Sequence, residues 1–153
     1  TMLGEGDEVT FSGPYGHFGL SDSDRDMVWV AGGSGMAPFW SMVRQLRDKG
    51  CNRRGTYFFG AVAARDMFLL TELRELEKEL DWFAFVPALS APAPGDQWDG
   101  ETGLITEVLE RRVDDGSELE AYLCGSPGMI RAAGEVLRRK GITSDRTFYD
   151  EFA

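Results

Sequence analysis

The chain has 153 residues, 42% of them hydrophobic, enough for one compact domain with its own core and too apolar for disorder. A net charge of -10 and a pI near 4.5 argue against nucleic acid and anionic lipid as partners, because such a surface repels phosphate backbones. Two cysteines without paired spacing, Cys51 and Cys124, and a lone histidine, His17, argue against a disulfide framework, a metal site and a Ser-His-Asp or Cys-His triad.

The opening, Gly6-Asp7-Glu8-Val9-Thr10-Phe11, looks like a turn entering an edge strand, with Val9 and Phe11 alternating against polar neighbours. It reads as a cut inside a larger protein, with no signal peptide. Ser12-Gly13-Pro14-Tyr15-Gly16 is a turn, and Ser21 to Asp26 a polar linker. The stretch that organises the rest is Met27 to Gln45. Met27-Val28-Trp29-Val30-Ala31 is a buried strand that breaks into Gly32-Gly33-Ser34-Gly35. A helix follows from about Ala37 to Lys49: Pro38 fits its first turn, Phe39, Met42, Val43 and Leu46 share one face, and Gly50 ends it.

Strand, glycine turn, helix is a specific geometry. Glycines allow a tight turn and a close backbone approach to a ligand, and the helix N-terminus adds N–H groups and a partial positive charge. The result is a seat for a phosphate or pyrophosphate, which an acidic domain can still bind through local N–H groups. The motif is G-x-G-x-x-P, with Pro38 in place of the third glycine.

Gly55 to Gly60 is the second strand, and a helix from about Phe68 to Leu80 turns Leu69, Leu73, Leu76 and Leu80 inward. Trp82 to Pro87 is the third strand, and Ala91 to Asp96 a rigid loop under which Trp98 packs. Gly103 to Arg111 is a short helix with Leu104, Ile105, Val108 and Leu109 inward. Leu119 to Cys124 is the fourth strand. Gly125-Ser126-Pro127-Gly128 is a second glycine turn, and Met129 to Lys140 a helix with Ile130, Ala133, Val136 and Leu137 inward. Thr147-Phe148-Tyr149 is a fifth strand. Strands alternating with helices imply an α/β fold of three layers, a five-stranded parallel sheet with helices on both faces. No apolar run approaches ~18 residues, so nothing here reads as a membrane span. In such sheets ligands sit beyond the C-terminal strand ends where the strand order reverses, and the two glycine turns converge there.

These residues resemble a family. Ala31-Gly32-Gly33-Ser34-Gly35-Met36-Ala37-Pro38 is similar to the pyridine-nucleotide turn of the ferredoxin–NADP reductase family. Tyr122-Leu123-Cys124-Gly125-Ser126-Pro127-Gly128-Met129 resembles its second signature, although Ser126 departs from the usual proline. Phe148-Tyr149-Asp150-Glu151-Phe152 resembles its acidic-aromatic ending. Gly6 to Val9 and Ser12 to Phe18 resemble the end of the flavin domain and the link, so residues 1–20 are expected to be that end and 21–153 the NAD-binding domain. Ala88-Leu89-Ser90 followed by Trp98-Asp99-Gly100-Glu101-Thr102-Gly103 is similar to the F subunit of the Na+-translocating NADH:quinone oxidoreductase. The same layout resembles NADH-dependent reductase components of bacterial methane and phenol monooxygenases.

The resemblance implies that NADH delivers hydride to FAD, with electrons leaving singly through a [2Fe–2S] centre to a quinone. The alternatives are the reductase of a multicomponent oxygenase, or a non-catalytic NAD-binding module. It implies the protein's own FAD and ferredoxin domains as partners, neither cofactor being bound by this stretch alone. Membrane subunits of a quinone reductase complex, and a place on the cytoplasmic side of a bacterial inner membrane, follow from the same likeness.

As cofactor-binding residues it implies Gly32, Gly33, Ser34, Gly35, Met36, Ala37, Pro38, Gly60, Ala61, Ser90, Cys124, Gly125, Ser126, Pro127, Met129 and Phe152. Cys124 is placed beside the nicotinamide, with Glu151 near the reacting centre and Phe152 over the flavin, as the catalytic set. NADH is expected over NADPH, since no basic clamp follows Gly60-Ala61 or Ser90. Two features pull the other way: Arg65 lies close in sequence, and no acid ends the second strand to hold ribose hydroxyls.

Overall fold

The computed structural model describes residues 3–13 and 15–151, so the roles expected of Phe152 and the Pro14 corner of the turn lie outside the described residues. Six parallel strands form one sheet: β1 (Asp26–Gly32), β2 (Gly55–Ala61), β3 (Phe83–Leu89), β4 (Glu101–Thr102), β5 (Leu119–Gly125) and β6 (Thr147–Glu151). Their order is β4-β3-β2-β1-β5-β6. The helices are α1 (Met36–Lys49), α2 (Leu70–Glu79), α3 (Ile105–Arg112) and α4 (Pro127–Arg139). No described helix is long and apolar enough to cross a membrane.

The sheet is covered on both faces because its strands are apolar on both. Met27, Trp29, Ala31, Tyr57, Phe59, Tyr122 and Cys124 face α1 and α2. The alternate residues Val28, Val30, Phe58, Ala121 and Leu123 face α3 and α4. Period-two alternation thus builds two cores from one run of hydrophobic residues. The order reverses at β1: α1 carries the chain from β1 to β2 on one face, and α3 brings it back past β1 to β5 on the other, so the crevice between β1 and β5 is the switch point of the fold.

The fold class is as expected, with differences of detail. A sixth strand is present: Glu101 and Thr102 pair with Ala88 and Leu89, a rung too short and polar to be read from sequence. No strand forms at Val9 and Phe11, which are exposed and unpaired. Leu104 is exposed rather than inward, because α3 begins at Ile105, two residues later than expected, and Leu104 is its extended N-cap. Leu69 packs toward the core but sits at φ 53 as the N-cap of α2, a left-handed conformation unusual for leucine.

Where β4 gives out, the outer edge of β3 is closed by other means. The outward N–H of Phe83 donates to the Leu80 carbonyl at 3.0 Å, and that of Phe85 to Glu77 Oε1 at 2.7 Å. The next outward position is Pro87, which has no N–H.

Candidate functional site

The two glycine turns meet at the C-terminal ends of β1 and β5. A Cβ on Gly35 would lie 2.2 Å from the Cys124 carbonyl oxygen, so only glycine lets α1 start against the β5 backbone. Gly35 has φ -60, so close approach and not an unusual dihedral demands glycine here. A Cβ on Gly125 would lie 2.6 Å from Met129 Cε and 3.3 Å from the Gly32 carbonyl oxygen. Met129 thus lies across both turns.

Above them opens a cavity of about 750 Å³, lined by Gly32, Gly33, Ser34, Gly60, Ala61, Ser90, Ser126 and Met129. All eight are residues singled out from the sequence. Gly35, Met36 and Gly125 are buried in the floor beneath it, Ala37 is exposed on the first turn of α1, and Pro38 and Pro127 are half-buried behind the turns. The remaining lining residues, Val62, Asp66, Phe68, Gly103, Leu104 and Ile105, are ones that sequence reasoning misses. Of these, Val62, Phe68 and Leu104 are apolar and 60%, 51% and 58% exposed. Exposed apolar residues just past strand ends are the pattern that could have flagged them.

Charge distinguishes the helix ends around the cavity. At α3, the Leu104 N–H donates to Glu107 Oε2 at 2.8 Å, so a carboxylate already caps that end. At α4, Ser126 Oγ accepts the Met129 N–H at 3.4 Å, and Pro127 has no N–H to offer. At α1 there is no side-chain cap and no acidic residue in the first turn. An anion is therefore best received at α1, where N–H groups and dipole act without a competing carboxylate. Asp66 supplies a carboxylate on the wall, at the end of the 3-10 turn Ala64–Asp66 after β2, where its Oδ2 accepts the Ala63 N–H at 3.2 Å. As the sequence indicates, no acid ends β2 at Ala61; Asp66 lies five residues further along the chain.

Cys124 is fully buried on the α1 side of the sheet. Burial, and then the charge of Asp150, push its thiol up to about 11. A thiol held that high is protonated at neutral pH and is not activated as a nucleophile. Burial, followed by Cys124, raises the Tyr57 hydroxyl well above the ordinary tyrosine value. The carboxylate beside the thiol is Asp150, its partner in the β5–β6 register. Glu151 pairs with Gly125 and lines a groove with Leu123, Ile130 and Arg131 on the α4 side, away from Cys124. The strand register that separates these two acids is not visible in the sequence.

Among the described residues no cluster of His, Cys, Asp or Glu could hold a metal ion, and Trp98 packs inward, its Nε1 donating to the Glu101 carbonyl at 2.8 Å. The arrangement combines an uncapped helix start at α1 that can receive an anion, exposed apolar residues on the cavity wall and a buried, protonated thiol at the end of β5.

Residues 29–135 match the family model described as oxidoreductase NAD-binding domain. The chain is 39% identical to the reductase component of propane 2-monooxygenase from Rhodococcus jostii, over 96% of this chain and 41% of that protein. It is also 39% identical to the F subunit of the Na+-translocating NADH-quinone reductase of Pasteurella multocida, over 98% of this chain and 38% of that one. An Amycolatopsis cytochrome P450 reductase superposes with a TM-score of 0.82 at 28% identity, over 92% of this chain and 42% of the other. The chain thus spans about two fifths of the length of the relatives it matches. With the family model covering most of the chain and the cleft built on its two glycine turns, the chain belongs to the oxidoreductase NAD-binding domain family, in its ferredoxin–NADP reductase branch.

Proposed function

We propose that the chain is the NADH-binding domain of a flavin-dependent oxidoreductase. The observation that carries this is the pair of interlocked glycine turns at the switch point, beneath a cavity on which α1 opens with neither a side-chain cap nor an acidic residue in its first turn. Gly33, Ser34 and Gly35 seat the pyrophosphate through backbone N–H groups. Val62, Phe68 and Leu104 sandwich the adenine, and Asp66 and Ser90 lie within the adenosine half. The β5 turn, with Ser126, Pro127 and Met129, borders the nicotinamide half, and the neutral Cys124 thiol and Asp150 close it from behind. NADH held by these residues would supply a hydride to the FAD of a preceding domain, for onward one-electron transfer through a [2Fe–2S] centre. This domain's residues orient the dinucleotide and exclude water; none is asked to move a proton.

For the acceptor we propose a quinone, in a Na+-translocating NADH:quinone oxidoreductase anchored at the cytoplasmic side of a bacterial inner membrane. The support is the likeness of residues 88–90 and 98–103 to the F subunit of that enzyme. The equal identity to the propane monooxygenase reductase favours a second reading, in which an oxygenase component receives the electrons. Calorimetric titration of the 153-residue stretch with NADH, beside anaerobic mixing of the longer protein with NADH, tests the shared core of both. The stretch is expected to be colourless, to bind one NADH saturably and not to oxidise it, while the longer protein bleaches its flavin. Stoichiometric flavin on the stretch, or no saturable NADH binding, refutes the proposal.

A further inference from the structure

Two charged residues, Arg53 and Glu120, are buried among the described residues, and neither touches the cleft. Glu120 is the second residue of β5, about 16 Å of strand below the Gly125 turn. Burying an ion pair is costly unless every remaining valence is satisfied, and here the satisfaction comes from the link that enters the domain. The Glu120 carboxylate is paired with the Arg53 guanidinium and accepts from Ser21 Oγ at 2.8 Å and 2.9 Å, from Ser23 Oγ at 2.6 Å and from the Tyr122 hydroxyl at 2.5 Å. Arg53 also donates from Nε to the Arg25 carbonyl at 2.5 Å and from Nη1 to the Ser21 carbonyl at 3.2 Å. The Ser21 N–H donates to the Tyr122 hydroxyl at 2.9 Å.

Just upstream, Phe18 sets its ring edge-on to Phe39 of α1 and Tyr122 of β5, at 5.9 Å and 6.3 Å between centroids. Tyr122 stacks on Phe148 of β6 at 5.1 Å. Glu120, Tyr122 and Cys124 alternate along β5 on one face, so the link from Phe18 to Arg25 is bolted to the column of side chains whose upper end is the thiol. The link is therefore part of the rigid body of this domain. In the segment before it, Leu3, Val9, Phe11 and Tyr15 stand exposed.

We propose that Glu120, Arg53, Ser21 and Ser23 are positioning residues for hydride delivery, clamping the link so that the preceding domain meets the nicotinamide half of the cleft at one fixed distance and angle. This rests on the NADH-to-flavin reading above. A clamp of this kind leaves NADH affinity alone and acts on the transfer step, where misplacement by about 1 Å costs on the order of 100-fold.

The test uses the longer, flavin-containing protein with the double substitution Ser21→Ala and Ser23→Ala, which removes the serine hydrogen bonds to Glu120 and so loosens the link, while leaving the buried ion pair and the main-chain bonds in place. Ser21→Thr with Ser23→Thr, which keeps both hydroxyls, is the rescue. Flavin reduction by NADH is followed in a single turnover, and the NADH dissociation constant is measured by titration. The expected result is reduction slowed about 10- to 100-fold in the alanine variant, an NADH dissociation constant within about 2-fold of wild type, and recovery of the rate in the threonine variant. Unchanged reduction, or an affinity loss that accounts for the slower rate, overturns the proposal. A wild-type protein whose flavin NADH does not reduce refutes the underlying reading instead, and the clamp falls with it.

Discussion

Replacing Gly35 by alanine would drive a methyl group against main chain on the far side of the crevice. The added Cβ would lie 2.2 Å from the Cys124 oxygen, 2.6 Å from its carbonyl carbon and 3.0 Å from the Gly125 nitrogen. Real Cβ contacts essentially never fall under 3.0 Å, so the turns must part by about 0.8 Å. No side chain can swing aside to absorb this, because all three atoms belong to the β5 backbone, which is paired on both edges. Overpacking of this kind costs about 2 to 3 kcal/mol, which in a domain of this size lowers Tm by roughly 5 to 10 °C. The same opening moves the N–H groups of the α1 turn away from a bound pyrophosphate. Loss of one charge-assisted hydrogen bond is worth about 1.5 to 3 kcal/mol, or roughly 10- to 100-fold in NADH affinity. Gly134→Ala is the control: its new methyl would sit 3.9 Å from Leu123 Cδ1, in ordinary contact, and alanine favours a helix interior by about 0.5 to 1 kcal/mol. Thermal unfolding followed by circular dichroism, with calorimetric NADH titration of the folded variants, gives both numbers. A Gly35→Ala protein as stable and as tight-binding as wild type would refute the interlocked-turn account.

NADH should bind about 10- to 100-fold more tightly than NADPH, about 1.4 to 2.7 kcal/mol. Asp66 lines the cavity, and Arg65, its side chain 87% exposed, lies 3.8 Å from Asp66 and is not among the lining residues. Side-by-side titrations decide it, and tighter NADPH binding that is lost in Arg65→Ala would reverse the assignment. Acid should act on the link clamp. Burial raises the Glu120 carboxyl, but the hydrogen bonds from Ser23, Tyr122 and Ser21 and the Arg53 charge outweigh it and hold the group below the ordinary glutamate value. A lowered folded-state pKa means the stabilisation is complete above the unfolded value of about 4.3 and is lost as pH falls through the folded one. Urea melts of wild type and Glu120→Gln should differ by a constant amount above about pH 5, with the gap narrowing as the pH falls below the unfolded value of about 4.3; a gap that widens on acidification contradicts this.

The layers and the crevice are legible in the sequence because their causes are local. Continuous apolar strands, helical stripes such as Leu73 and Leu76, and glycine runs at strand ends each announce themselves within a few residues. What is not legible depends on partners distant in sequence. β4 exists only because Ala88 and Leu89 offer it a rung, and Val9 and Phe11, which alternate as well as any strand, find none. The apolar rim of the cavity reads as core at Leu104 because helical spacing carried back to Gly103 puts it on the inner stripe, whereas the helix starts two residues later and Leu104, its N-cap, has an extended backbone. Glu120 looks like an exposed charge at a strand start; its burial requires Arg53, 67 residues away. Asp150 and Glu151 can be told apart only once β6 is in register with β5.

The closed margin of β3 bears on how this domain behaves in concentrated solution. A visiting strand builds a ladder by exchanging donors and acceptors alternately, and along this margin the Leu80 carbonyl holds one donor, Glu77 another, and a proline ring replaces the third. Only acceptors remain, so the sheet cannot be lengthened there by another polypeptide. Solubility on this flank therefore does not depend on the net negative charge and should survive salt, which screens charge but leaves a hydrogen bond of 2.7 Å in place.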